Sequence, residues 1–199
     1  MRNDVREPQQ ERSIEKKNKI IQAGYELFSE TGYYGTNTQE IAKRAGVSTG
    51  IVYGYFKDKR DILVCALNIY LKKVSGALME VMREIEAPFE IDAIAERVID
   101  TTIAIHKENA KMHNTLHSLA SSDEIVQNEF LKLEKHITEK ISERLKELGV
   151  SCENLGERVH VAMNVVQSFA HEYVFDNHGY IDYSAMRKIV IAVVADLFK

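Results

Sequence analysis

The stretch that most constrains the fold of this chain is Thr38–Lys59, which reads TQEIAKRAGVSTGIVYGYFKDK. Its first part predicts a short helix that Thr38 caps and that Gly46 ends, because glycine readily adopts the left-handed backbone of a helix C-cap. A second short helix follows almost at once, and its apolar residues fall on one side at 3.6-residue periodicity: Val47, Val52, Tyr55 and Phe56.

The opposite side of this second helix is polar, small and aromatic, and it ends in a cation. It carries Ser48, Thr49, Gly50, Tyr53 and Lys57. Two helices of this length joined by a turn containing glycine form a helix-turn-helix, whose second helix can enter the major groove of DNA with its N-terminal residues leading. Small residues at that end permit a close approach to base edges.

The run IAKRAGVSTGIVYGYFKDKRDIL, residues 41–63, resembles the N-terminal domain of tetracycline-repressor-like (TetR) regulators. The shared positions are Ala-Gly-Val-Ser, a glycine, a tyrosine, an aromatic residue and phenylalanine, then Lys-x-Lys, with the preceding threonine present as Thr38. The close match extends roughly over Ile20–Leu67, and Gly54 departs from it because many members have a larger side chain there.

The resemblance and the residues together imply a set of DNA-binding positions. Thr38, Tyr53 and Lys59 are expected to hold phosphates, with Lys57 beside them. Ser48, Thr49 and Gly50, together with the ring edge of Tyr53, are expected to meet bases. Asp58 is placed to cap the next helix, and a helix N-terminus carrying Lys59 in its first turn is a suitable site for an anion.

Charge is distributed unevenly along the chain, whose formal net charge is −4. Residues 1–60 contain 11 Lys and Arg against 8 Asp and Glu, whereas residues 61–199 contain 15 against 22. A basic N-terminal part on an acidic remainder is expected when only one end meets phosphate, although an excess of this size also falls within ordinary variation.

Composition favours an all-α fold, since 45% of the 199 residues are hydrophobic, two are proline and no strand pattern is present. We expect a flexible tail over residues 1–11, a three-helix DNA-binding domain over 12–57 and a helical ligand-binding and dimerisation domain over 58–199. We predict no membrane span and a cytoplasmic location. Cys65 and Cys152 lack metal-type spacing and are interpreted as reduced.

The remaining helices are predicted from their apolar stripes and their stop signals. A long helix runs from Asp58 to Ala87, where Pro88 stops it. Ser121 with Glu124 has the spacing of a capping box that opens a later helix, and Gly149 ends that helix. Asp182 is a candidate cap for the last helix.

The last two helices are apolar on most sides, over residues 155–174 and 186–198. A helix of this kind is buried on more than one side. We therefore expect a homodimer whose two copies pair these helices, as the resemblance also implies; a central helix within one subunit is the alternative.

Two uncharged polar seams interrupt the apolar body. One contains His160, Asn164, Gln167 and His171 on the penultimate helix, and the other contains His106, His113 and His117 if their helices are continuous. Such seams suit a cavity that orients a small organic effector, and the candidate ligand-binding residues are His106, His113, His117, Asn164, Gln167 and His171. A solvent-facing stripe or satisfied core residues would give the same periodicity.

A helical His-rich metal-binding sensor or enzyme is the competing interpretation. His113 and His117, at i and i+4, could hold a metal with His106 or His171. However, no HExxH spacing, phosphate loop or nucleophile elbow accompanies them, so we expect no metal, no cofactor and no catalysis. The sequence favours a ligand-responsive transcriptional regulator, a repressor, that binds a near-palindromic double-stranded operator.

Overall fold

The computed structural model describes residues 11–199, and these residues form helices joined by loops, with no strand among them. The expected all-α fold is therefore confirmed. The predicted tail over residues 1–11 lies outside the described residues except for Glu11, which begins the first helix. The helices are α1 Glu11–Thr31, α2 Thr38–Ala45, α3 Thr49–Tyr55, α4 Lys59–Arg83, α5 Ile91–Glu108, α6 Ala110–Ala120, α7 Glu124–Glu147, α8 Leu155–Phe175 and α9 Tyr183–Asp196.

The chain divides into two compact units, each built from two stretches of sequence. Within the described residues, unit 1 contains 11–72 and 109–129, and unit 2 contains 73–108 and 130–199. Unit 1 therefore includes more than the predicted DNA-binding domain over residues 12–57, because the first half of α4, all of α6 and the start of α7 belong to the same compact unit as α1, α2 and α3.

Unit 1 has a core of large apolar side chains that are almost completely buried. Its members include Ile20, Phe28, Ile41, Val52, Phe56, Ile62, Leu63, Leu67, Met112 and Leu116. Gly24 permits α1 and α4 to approach closely, since a Cβ at this position would lie 2.5 Å from Cγ2 of Ile62. Elsewhere in the unit, the Tyr25 hydroxyl donates to Oδ1 of Asn109 at 2.9 Å and connects α1 to the start of α6.

The cap of α2 differs from the prediction. Asn37, not Thr38, is the N-cap residue, and its side chain accepts hydrogen bonds from the backbone N–H groups of Gln39 and Glu40. Glu40 completes a capping box by accepting from the Asn37 N–H. The helix accordingly starts one residue earlier than a Thr38 cap requires, and the Thr38 hydroxyl is available to another partner. Gly46 ends α2 with φ +68°, as predicted.

Unit 2 contains two neighbouring apolar clusters. One joins residues from α4, α5, α7 and α8, including Met82, Ile94, Ile141 and Val159. The other joins α5, α8 and α9, including Ile99, Phe169 and Val194. On its surface Arg187 of α9 donates to Glu96 and Asp100 of α5 at 2.8–3.0 Å.

Two further predicted helix ends are corrected. The long helix α4 ends at Arg83 rather than Ala87. At this end the Arg144 guanidinium donates hydrogen bonds to the carbonyls of Met82 at 3.2 Å and Ile85 at 2.7 Å, which replace intrahelical partners. Asp123, not Ser121, caps α7: its Oδ1 accepts from the N–H groups of Ile125 and Val126. Gly149 and Asp182 act at the ends predicted for them.

By length and composition alone, α4 is apolar enough to cross a bilayer, and it is the one such helix in the described part of the chain. Its residues Ile62, Leu63, Ala66 and Leu67 are fully buried in the core of unit 1. About a third of the apolar window of α4 is buried within the protein, 33% of its residues.

Candidate functional site

The helix α3 is held in unit 1 by buried side chains in its middle and just beyond its C-terminal end. Val52 is 0% exposed and Phe56, which follows the helix, is 1% exposed. The hydroxyl groups of Tyr55 and Ser13 lie 2.6 Å apart and connect α3 to the start of α1. These anchors fix which side of α3 faces solvent.

The outward face of α3 contains the residues that the sequence assigned to base contact. Ser48 and Gly50 are exposed, Thr49 is half-buried, and the Tyr53 side chain is 56% exposed. Lys57 is exposed just beyond the helix. The first residues of α3 thus present small groups to solvent, with an aromatic ring and a cation further along, as direct contact with a groove requires.

Thr38 and Tyr53 are brought together, because the Oγ1 atom of Thr38 lies 3.0 Å from the Tyr53 hydroxyl. This hydrogen bond joins the first residue of α2 to the middle of α3. Both residues were predicted to hold phosphate, and their hydroxyls now form one exposed donor-acceptor pair at the surface of the helix-turn-helix.

Lys59 has partners within the protein. Its Nζ atom donates to the carbonyl of Tyr33 at 2.7 Å and to the carbonyl of Thr36 at 2.9 Å, and it lies 4.3 Å from the centre of the Tyr33 ring. Burial, with a smaller contribution from Asp58, raises the pKa of Tyr33. The ammonium therefore fastens the start of α4 to the α1–α2 loop, and its predicted phosphate contact remains a prediction.

The turn before α4 is capped from both directions. Oδ1 of Asp58 accepts from the Asp61 N–H at 3.1 Å, as the sequence indicated, and Oδ2 of Asp61 accepts from the Lys57 N–H at 3.0 Å. This exchange of side-chain and backbone bonds fixes the backbone of Lys57 at the edge of the exposed face.

A surface clamp holds α2 against α1. Both terminal nitrogens of Arg44 donate to the Glu30 carboxylate, at 2.8 and 2.9 Å, and one of them also reaches Glu26 at 3.4 Å. The Arg44 guanidinium holds the pKa of Glu30 below its ordinary value. The side chain of Arg44 is therefore already paired with carboxylates of α1.

The six candidate ligand-binding residues are divided between the units. In unit 2, the buried His106 makes two hydrogen bonds: its Nδ1–H donates to the Thr102 carbonyl at 2.7 Å, and its Nε2 accepts from Nε2–H of Gln167 at 3.0 Å. Burial lowers the pKa of His106, an effect that the Thr102 hydrogen bond opposes in part. His171 lies edge-on to the His106 ring, whereas Asn164 is exposed.

His113 and His117 belong to unit 1, where their rings lie 4.1 Å apart. Nδ1 of the fully buried His113 is 2.7 Å from the Tyr70 hydroxyl, and burial raises the pKa of Tyr70. Asn109 separates α5 from α6, so the three histidines are not on one continuous helix. Across residues 11–199, no three His, Cys, Asp or Glu side chains are arranged to hold a metal ion.

Unit 2 contains a small apolar cavity of about 60 Å³. Five helices, α4, α5, α7, α8 and α9, contribute to its wall, and none of the six candidate ligand-binding residues belongs to it. The predicted polar seams and the cavity are therefore different features of the molecule.

Several positioning residues were missed in the sequence. Asn37 and Glu40 show the N-x-x-E spacing of a capping box, so this signal was available one residue before Thr38. Asp123 also binds the Arg60 side chain, with Nε of Arg60 at 2.8 Å from Oδ2. No local pattern reveals this second pair, since 63 positions separate the two residues.

The comparisons with known proteins agree with this geometry. A family model described as "Bacterial regulatory proteins, tetR family" matches residues 20–65. The HTH-type transcriptional regulator HbdR of Aromatoleum sp. (strain CIB) is 31% identical over 126 residues, which cover 59% of this chain and 55% of HbdR. The fatty acid metabolism regulator protein of Bacillus subtilis (strain 168) is 42% identical over 65 residues, or 33% of this chain and 31% of that protein. The chain thus spans about half or less of the length of these relatives.

The fold is also shared with solved structures. A TetR transcription regulator from Haloarcula marismortui ATCC 43049 superposes with a TM-score of 0.68, covering 93% of this chain and 98% of the other at 18% identity. At this identity the likeness concerns the fold alone, and it extends over both units. The helix-turn-helix geometry, the family model and the named relatives lead to one conclusion: residues 20–65 form a helix-turn-helix domain of the kind found in TetR-family transcriptional regulators.

Proposed function

We propose that this protein is a ligand-responsive repressor that binds a near-palindromic DNA operator as a homodimer and is released by a small organic effector. The observation that carries the proposal is the outward face of α3, where Ser48, Gly50 and Tyr53 are exposed while Val52 and Phe56 anchor the helix. The relatives named above are regulators of transcription, which supports a non-catalytic role in the cytoplasm.

In this proposal, different residues on the outward face of α3 contact the bases and the phosphates of DNA. Ser48, Thr49 and Gly50 contact base edges, because small side chains at the N-terminal end of a helix permit the closest approach. The linked hydroxyls of Thr38 and Tyr53, together with Lys57 and the remaining donor capacity of Lys59, contact phosphates and fix the register.

The dimer is supported by apolar side chains that α8 and α9 leave exposed within unit 2. Val161 is 47% exposed, Ile189 is 63% exposed and Val193 is 46% exposed. Pairing these helices with their counterparts in a second copy removes this surface from water, and the two-fold axis relates two copies of α3. Recognition helices related in this way address half-sites about 34 Å apart on a near-palindrome.

Release requires that an effector bound in unit 2 favour a state with weaker DNA affinity. The helix α4 has residues in both units, so it is a candidate for carrying this bias to Lys59. A coupling free energy of about 1–3 kcal/mol changes DNA affinity by about 5- to 150-fold, which suffices for regulation.

The decisive experiment selects bound fragments from random duplex DNA with the full chain and then measures affinity as a function of salt. We expect one short near-palindrome to be enriched, with an affinity that falls steeply as salt increases. Absence of any preferred duplex at low ionic strength, with and without extracted metabolites, would overturn the proposal.

Two substitutions then assign the roles on α3. Tyr53→Ala should lower affinity for all operators by about tenfold, because it removes a phosphate contact that every operator sequence offers. Tyr180→Ala is the matched control, since Tyr180 is 83% exposed but lies in unit 2. Thr49→Ala should change the selected sequence rather than affinity for DNA in general; an unchanged consensus would exclude Thr49 from base reading.

A further inference from the structure

The cavity of unit 2 is lined entirely by hydrocarbon and thioether side chains. Its wall includes Met82 of α4, Ala95 of α5, Ile141 of α7, Met163 and Val166 of α8, and Phe198 beyond α9. None of the lining side chains carries a hydrogen-bond donor or a charge.

The lining determines the chemistry of an occupant. A buried water molecule needs two to four polar partners, which this wall does not supply, so water is held only weakly in the cavity. Burying a charged group or an unpaired hydroxyl here would cost several kcal/mol. The part of a ligand that enters must therefore be uncharged and free of hydrogen-bonding groups.

The volume adds a limit on shape. A volume of about 60 Å³ is well below the roughly 150 Å³ of an engineered apolar cavity that binds benzene. Since about 150 Å³ holds the six CH groups of benzene, or about 25 Å³ for each, a site of this size holds about two to three methylene-sized groups. Two methionines in the wall, Met82 and Met163, are flexible and can make way for a thin chain more readily than for a rigid ring.

The polar seams are poorly placed to replace this cavity as the site of recognition. His106 already has a carbonyl at Nδ1 and an amide at Nε2, and neither His106 nor Gln167 lines the cavity. Ligand recognition in unit 2 by apolar contact therefore requires no existing hydrogen bond to break.

We propose that the effector of this protein is a molecule with an uncharged, short, unbranched aliphatic chain, and that this chain occupies the cavity between Met82, Ala95 and Met163. This inference rests on the proposed function for its regulatory meaning, but the binding step can be measured without DNA.

The test uses the full-length protein labelled with carbon-13 on its methionine methyl groups and titrated with 1-alkanols from methanol to octanol. The methyl resonances of Met82 and Met163 should shift, whereas that of Met112, buried in unit 1, should not. Affinity should rise about fourfold for each added methylene until the cavity is full, following the free energy of burying a CH₂ group. In contrast, 1,6-hexanediol should bind at least tenfold more weakly than 1-hexanol, because one hydroxyl would be buried without a partner.

Substitutions in α5 and α8 test whether the aliphatic group binds in this cavity. Ala95→Leu fills the cavity and should abolish the Met82 and Met163 shifts, while Ala93→Leu, the same change on the exposed side of α5, should leave them intact. Val166→Ala enlarges the cavity and should extend the rise in affinity to longer alkanols, which keeps the test informative if Ala95→Leu folds poorly.

The outcomes separate this inference from the proposed function. Operator binding without methionine shifts, or shifts that Ala95→Leu leaves unchanged, would overturn the aliphatic effector while the repressor stands. Methionine shifts with the predicted chain-length dependence in a protein that selects no duplex would overturn the repressor while the aliphatic site stands. If both hold, 1-hexanol should weaken operator binding by wild type and by Ala93→Leu, but not by Ala95→Leu.

Discussion

At the scale of single residues, Asp123 has two structural tasks in unit 1. Oδ1 caps α7, and Oδ2 accepts from the Arg60 guanidinium in the first turn of α4. The Asp123 side chain is 8% exposed and that of Arg60 is 37% exposed, so the ion pair is only partly screened by solvent. The loss of either task leaves donors without their acceptor.

Asp123→Ala should therefore lower the free energy of unfolding by about 2 kcal/mol, of which about 1 kcal/mol belongs to the lost cap. Ser121→Ala is the control, because the exposed Ser121 hydroxyl donates only to the nearby Ser118 carbonyl, and it should change stability by less than about 0.5 kcal/mol. Urea unfolding measures both. Equal effects of the two substitutions would contradict the assignment of the cap to Asp123.

His106 makes the stability of unit 2 depend on pH. Burial lowers its pKa in the folded protein below the value near 6.5 of the unfolded chain, so the unfolded state binds more protons as pH falls. The stabilising contribution is complete above about pH 6.5 and is lost as pH falls through this value toward the lower folded pKa.

The urea midpoint of the wild-type protein should consequently be lower at pH 5.5 than at pH 7.5. In His106→Gln this decrease should disappear. Each unit by which the pKa is lowered corresponds to about 1.4 kcal/mol. His160→Gln, an exposed histidine on α8, should retain the wild-type decrease. Identical pH dependence in wild type and His106→Gln would exclude the buried histidine as its cause.

At the scale of helices, two glycines of unit 1 are expected to respond oppositely to alanine. A Cβ at Gly24 would lie 2.5 Å from the buried Ile62, whereas a Cβ at Gly54 would meet nothing within 4 Å. Gly24→Ala should cost about 1–3 kcal/mol through overpacking, and Gly54→Ala should stabilise α3 by about 0.5–1 kcal/mol. Thermal or urea unfolding of the two variants checks both signs, and stabilisation by Gly24→Ala would disprove the close approach of α1 and α4.

The helices themselves were largely predictable, because their periodicity and their stop signals are local. Gly46 and Asp58 act as the sequence indicated, and the buried side of α3 contains Val52 and Phe56 as expected. The end of α4 was not predictable, since it depends on Arg144, some 60 positions away. Periodicity likewise could not tell that Gln167 turns toward His106 while Asn164 faces solvent.

At the scale of the whole molecule, the proposed dimer gives a direct prediction. Ile189→Glu places a charge on the exposed apolar face of α9 and should shift the protein to a monomer at micromolar concentration in sedimentation velocity. Operator affinity should fall with it, because each half-site is then bound separately. Leu131→Glu is the matched control: Leu131 is 54% exposed on α7 and the substitution should leave the sedimentation coefficient unchanged. A dimeric Ile189→Glu protein would require a different interface.

The two-segment construction of unit 1 affects how its DNA-reading part can be exchanged between relatives. A fragment that stops at Lys72 loses Asn109, the partner of Tyr25, and Asp123, the partner of Arg60. A chimera joined only at Lys72 would combine the N-terminal segment of one regulator with the residues 109–129 of another, and these two segments need not fit each other. Chimeric regulators should therefore fold only when residues 109–129 travel with the N-terminal segment, and a new operator preference is more readily acquired by substitutions on the surface of α3.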